Sequence, residues 1–119
     1  MPVVEQVLFA AIRSILKGEY RPGDHFPSVR SMAANLKIHP NTAHKVIQLL
    51  IEQRWLEAQA GVGTAVAERP PTRDTESMRL LRADLERLVV RAKSSGLAVD
   101  EVIEQLKGQW HLLGPVKED

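Results

Sequence analysis

Asn41, Thr42, His44, Lys45 and Gln48 would fall on one side of a single short helix. At about 100° per residue they occupy the arc opposite Ala43, Val46, Ile47 and Leu50, which recur at i, i+3, i+4 and i+7. All five can hydrogen-bond and none is negative. Asn and Gln offer the donor and acceptor pair that matches adenine's major-groove edge, and Lys can reach guanine O6 and N7. The local charge agrees with such a use. From His25 to Ile51 there is no Asp or Glu, while Arg30, Lys37, Lys45 and three histidines lie inside the stretch. The chain as a whole carries only +1, from 16 Lys and Arg against 15 Asp and Glu. A locally basic segment in a near-neutral chain is what a DNA-facing surface requires. A chance gap in the acids and an ordinary solvated helix face would give the same string.

The elements that must position this face can be read outward from it. Val4, Leu8, Ala11, Ile12, Ile15 and Leu16 have helical spacing and predict a first helix that stops near Gly18. Arg21-Pro22-Gly23-Asp24 is a turn, and Ser28 is a good N-cap for a second helix with Val29, Met32, Ala33 and Leu36 on one face. After a break at Lys37-Ile38-His39, Pro40 suits the first position of a third helix, where its missing N–H costs nothing. Two short helices joined this way make a helix-turn-helix, whose second helix enters the major groove with its N-terminal turn against the bases. That helix start also turns free N–H groups and a positive dipole end toward phosphate.

Beyond Arg54, two short runs, Trp55 to Ala60 and Thr64 to Val66, flank Gly61-Val62-Gly63 and predict a hairpin. Its place directly after the helix-turn-helix makes it a wing, and its glycines let backbone come close to phosphate or the minor groove. Glu68 to Asp74 holds two prolines and no apolar residue, so it reads as a linker. Met78, Leu81, Leu85, Leu88 and Ala92 then follow the 3-4-3-4 spacing of a packing helix that ends at Ser94-Ser95-Gly96. A last helix carries Val99, Val102, Ile103, Leu106, Trp110 and Leu113 along one side. Two short helices cover such stripes poorly, and a second copy of the chain would supply the missing surface. The interface set is thus Met78, Leu81, Leu85, Leu88, Ala92, Val102, Ile103, Leu106 and Trp110. Folding back onto the winged domain of the same chain is the competing arrangement. The expected organisation is a winged helix-turn-helix domain over 1–68, a linker over 69–77 and a helical dimerisation segment over 78–119. The fold class is mostly α with a small β-hairpin wing.

Other chemistry is poorly supplied. The 119 residues contain no Cys, which excludes disulfides and thiolate metal sites. His39 and His44 straddle a helix start with no carboxylate near, so no metal is expected. The tail's acids alternate with Arg82, Arg87 and Arg91 and read as a solvated face with pairs such as Arg82–Glu86. Trp55 and Trp110 sit at apolar positions and read as core. With no nucleophile elbow, phosphate loop or His–carboxylate set, neither an enzyme nor a bound cofactor is expected. No signal peptide or spanning run appears, so a cytoplasmic protein with no membrane partner is expected. A winged helix can also serve as a protein-interaction module without sequence-specific DNA binding, but that use predicts an apolar or acidic outer face on the third helix.

Gly23-Asp24-His25-Phe26-Pro27-Ser28-Val29-Arg30, then Ile38-His39-Pro40-Asn41-Thr42, then Gly61-Val62-Gly63-Thr64-Ala65-Val66 resemble the DNA-binding domain of the GntR family. Pro40-Asn41-Thr42 and the short tail resemble its YtrA-like branch. The resemblance implies a transcriptional regulator, a repressor by expectation, that binds an inverted-repeat operator in double-stranded DNA as a homodimer. Taken with the outer helix face, it implies a DNA-facing set of Ser28, Arg30, His39, Asn41, Thr42, His44, Lys45, Gln48, Gly61, Gly63 and Thr64. Relatives with large C-terminal domains bind metabolites, so an effector of unknown identity is an open partner here. A two-helix tail hardly encloses a pocket of a few hundred Å³, and one could form between subunits. The chain departs from the family's usual residues at Phe26, Val62, Ala65 and His39. A tip without a cation should hold DNA less strongly, and His39 should cap less well than Asn or Ser.

Overall fold

The computed structural model describes residues 2–68 and 75–113. In chain order it contains α1 (Val3–Leu16), β1 (His25–Phe26), α2 (Val29–Leu36), α3 (Pro40–Glu52), β2 (Leu56–Gln59), β3 (Gly63–Val66), α4 (Thr75–Ser94) and α5 (Val99–Leu112). Two compact units result, the first holding α1 to β3 and the second α4 and α5.

Three helices of the first unit close on one another because each carries one apolar stripe. Ala11 of α1, Met32 and Ala33 of α2, and Ala43, Val46, Ile47 and Leu50 of α3 form the buried cluster, joined by Phe26, Leu56 and Val66 from the strands. Gly18, at φ 85°, terminates α1, with Gly18 N–H donating to Ile15 C=O and Glu19 N–H to Ser14 C=O. Ser28 caps α2, its Oγ accepting from Ser31 N–H at 3.1 Å. Pro40 begins α3 as expected.

The hairpin pairs Leu56 with Val66 and Gln59 with Gly63, the outermost rungs of the antiparallel β2–β3 ladder. A third strand joins it. His25 pairs with Ala65 and Phe26 with Thr64, giving the order β1-β3-β2. No periodicity announces β1, because two residues are too few to carry one. The Tyr20 and Phe26 rings meet at 5.0 Å between centroids and help seat this edge strand.

Several expectations change in detail. α4 begins at Thr75, so residues 75–77, expected as linker, are helical. The apolar seam starts only at Met78, whereas the helix extends ahead of it through polar residues, with Glu76 in its first turn paired to Arg79. The rest of the expected linker, 69–74, lies outside the described residues. Among the described residues of the tail the ion pairs are Glu76–Arg79 and Asp84–Arg87, and the expected Arg82–Glu86 pair is not among them. Both put the acid toward the helix N-terminus, the order that the macrodipole favours. Leu36, expected on the packed face of α2, is exposed at the helix end. Trp55 packs partly buried on the core, while Trp110 is exposed in the protomer and is not part of a core within this chain.

Candidate nucleic-acid interface

The recognition face is built by what α3 buries. Ala43, Val46 and Leu50 are wholly inaccessible and Ile47 nearly so, which fixes the rotation of the helix about its axis. Asn41, His44, Lys45 and Gln48 are consequently exposed, and Thr42 is partly exposed. His39 is exposed one residue ahead of the helix, and its Nδ1 accepts from Asn41 N–H at 3.0 Å. The imidazole therefore takes the place in the cap that Asn or Ser would usually fill. Ser28 likewise spends its hydroxyl oxygen on Ser31 N–H, so it sets the start of α2 and the direction of Arg30 two residues on. Arg30 and Pro40 line the same shallow depression of about 550 Å³, with Ala34 and Ile38 between them. This brings Arg30 of α2 and Pro40 at the start of α3 to one depression of the surface.

At the wing, Val62 N–H donates to Gln59 C=O at 3.0 Å and closes the turn. Gly61 (φ 74°) and Gly63 (φ 114°) hold left-handed backbone that other residues rarely adopt. Val62 stands between them, 60% exposed. Thr64 is not at the tip. It sits one rung inside the sheet, between Phe26 and Ala58, and is partly buried. Ala65 is buried at the middle of the sheet beside His25 and Glu57.

The second unit presents its stripes openly. Met78, Leu81, Leu85 and Leu88 on α4, and Ile103, Leu106 and Trp110 on α5, are all exposed, so neither helix covers the other's apolar side. Val102 is partly buried and Ala92 buried, close to the turn that joins the helices, where Leu97 N–H donates to Ala92 C=O. Val89, four residues after Leu85, continues the stripe. The seam spacing missed it because that spacing steps from Leu88 to Ala92. Among the described residues no three His, Cys, Asp or Glu come together as metal ligands, and no helix is long and apolar enough to cross a membrane.

Comparison with known proteins agrees with this geometry. Residues 4–66, more than half the chain, match the bacterial regulatory proteins of the gntR family. The HTH-type transcriptional repressor YtrA of Bacillus subtilis is 31% identical over 107 residues, covering 89% of this chain and 82% of that protein. Among solved structures, YtrA from Sulfolobus acidocaldarius, a GntR-family transcription factor, has a TM-score of 0.54 at 26% identity over 93% of this chain and 90% of that one. A Listeria monocytogenes EGD-e protein described as a transcriptional antiterminator shares the fold, with a TM-score of 0.78 at 23% identity, over 96% of this chain and 87% of that one. These relatives are transcription regulators rather than enzymes, and this chain belongs with them, to the YtrA-like subfamily of the GntR family, as a regulator with a DNA-binding winged helix.

Proposed function

We propose that this regulator is a cytoplasmic repressor that binds an inverted-repeat operator as a homodimer. The observation that carries its DNA-reading part is the exposed face of the first three turns of α3 (Asn41, His44, Lys45, Gln48), which carries no acid ahead of Glu52 and is held in register by a buried opposite face. Asn41 and Lys45 lie in the N-terminal half of the helix, the half that meets base edges in this motif. Arg30 would bind phosphate beside it, and the backbone at Gly61 and Gly63 would approach the neighbouring groove, with Val62 giving an apolar rather than a cationic contact. The exposed stripes of α4 and α5 support a second copy as the partner of the tail, and the printed name of the B. subtilis relative supports repression.

Asn41→Ala and Lys45→Ala are expected to leave the circular dichroism unchanged, since neither residue is buried. On a duplex selected from a random pool, each should lose about 1–3 kcal/mol of affinity and relax the preference at one base pair. Arg30→Ala should instead weaken selected and random duplexes alike and lower the salt dependence, as loss of a phosphate contact does. Parent-like binding by all three variants would overturn the DNA-reading assignment.

A further inference from the structure

Left-handed backbone is glycine's region, and among the described residues only two others occupy it: Lys37 at φ 55° and Arg54 at φ 66°. Both are cations, and they stand on either side of α3. The chain uses glycine where it needs this conformation at residues 18, 23, 61, 63 and 96. An L side chain is disfavoured there, so a residue other than glycine at 37 or 54 raises the question of a compensating role. At Lys37 the surroundings supply one. It closes α2, with Lys37 N–H and Ile38 N–H both donating to Ala33 C=O, two residues before the cap of α3. It is exposed, and the acid-free stretch extends on both sides of it.

We propose that Lys37 grips a DNA phosphate at the edge of the major groove that receives α3. The contact rests on the DNA-binding reading above and adds a residue to it. An ammonium on a flexible four-carbon stem suits this position, because a phosphate at the groove edge needs only a positive charge within reach and sets no fixed donor geometry. The cation also complements the carbonyl end of α2, whose last turn has no other base. That purely structural role would act on stability and leave DNA affinity alone. Arg54 separates the two effects. It has the same backbone conformation and the same charge, but it follows the C-terminal end of α3. Thirteen helical residues at about 1.5 Å each put it about 20 Å from the recognition turn, at the foot of the wing.

The test compares full-length Lys37→Gly, Lys37→Arg and Arg54→Gly with the parent on a random-sequence duplex of about three helical turns, titrated with salt. Arg30→Ala runs alongside on the same duplex, and Lys45→Ala on a duplex selected from a random pool. Lys37→Gly is expected to melt close to or above the parent temperature yet bind about three- to tenfold more weakly, with the slope of log affinity against log salt reduced by about 0.9 for each Lys37 engaged. Lys37→Arg and Arg54→Gly should bind as the parent does. A parent-like slope for Lys37→Gly, with Lys45→Ala and Arg30→Ala still weakened, would overturn the phosphate contact and leave the recognition face standing. Equal losses for Lys37→Gly and Arg54→Gly would also overturn it, by making net charge the cause. Parent-like binding by Lys37→Gly, Lys45→Ala and Arg30→Ala together would remove the DNA-binding reading itself.

Discussion

Full-length protein carrying Leu85→Asp together with Leu106→Asp is expected to sediment as a monomer and to lose at least about 100-fold in affinity for an inverted-repeat duplex. In the isolated protomer these side chains are 43% and 49% exposed, so the substitutions remove nothing that the winged unit needs in order to fold. In a dimer the same positions would place unpaired carboxylates inside an apolar interface, which costs several kcal/mol unless the charges are lost or the interface opens. Once the copies separate, the two half-sites no longer share a tether. The second binding event then takes place at bulk rather than effective concentration, which is the source of the expected loss. Binding to a single half-site should survive, and circular dichroism should stay near the parent curve. A variant that still sediments as a dimer, or that binds the inverted repeat as tightly as the parent, would assign the tail another role.

Leu50→Ala should act through the other half of the molecule. Leu50 is wholly buried near the C-terminal end of α3, the helix that packs on α1, α2 and β2. Truncating such a leucine removes its transfer free energy and leaves a cavity that the neighbours fill only in part, a loss of about 2–5 kcal/mol. In a chain of this size that lowers the melting midpoint by roughly ten degrees or more. DNA affinity at low temperature should change little, because no contacting group is removed. The opposite holds for Lys45, so thermal melts and binding titrations on the two variants should show reversed patterns. A Leu50→Ala protein that melts within two or three degrees of the parent would contradict the close packing seen around α3.

What could be read ahead of the structure was whatever repeats or punctuates. Ala43, Val46, Ile47 and Leu50 set the rotation of α3, and Gly18, Ser28 and Pro40 marked ends that the structure places where expected. The features that escaped have no such signature. His25–Phe26 is too short to show alternation, and it becomes a strand only because β3 offers it an edge. Lys37 and Arg54 adopt a conformation for which the sequence code is glycine. The closure of the wing turn between Gln59 and Val62 depends on a backbone hydrogen bond that no side chain signals. His39 is not among the usual cap residues, yet its ring nitrogen accepts from Asn41 N–H at 3.0 Å.

The third strand has a thermodynamic effect on the wing. A two-stranded hairpin alone is marginal in water and would sample splayed forms. Here β3 is the middle strand, and its last residue, Val66, both donates to Asp24 C=O at 2.9 Å and accepts from Gly23 N–H at 2.8 Å. The stalk is thus immobilised when the domain folds, and the conformational entropy of ordering it does not weigh against association. Only the turn at Ala60–Val62 is left to adapt, so an apolar tip such as Val62 can contribute to binding without a cation to offset the ordering of a whole loop.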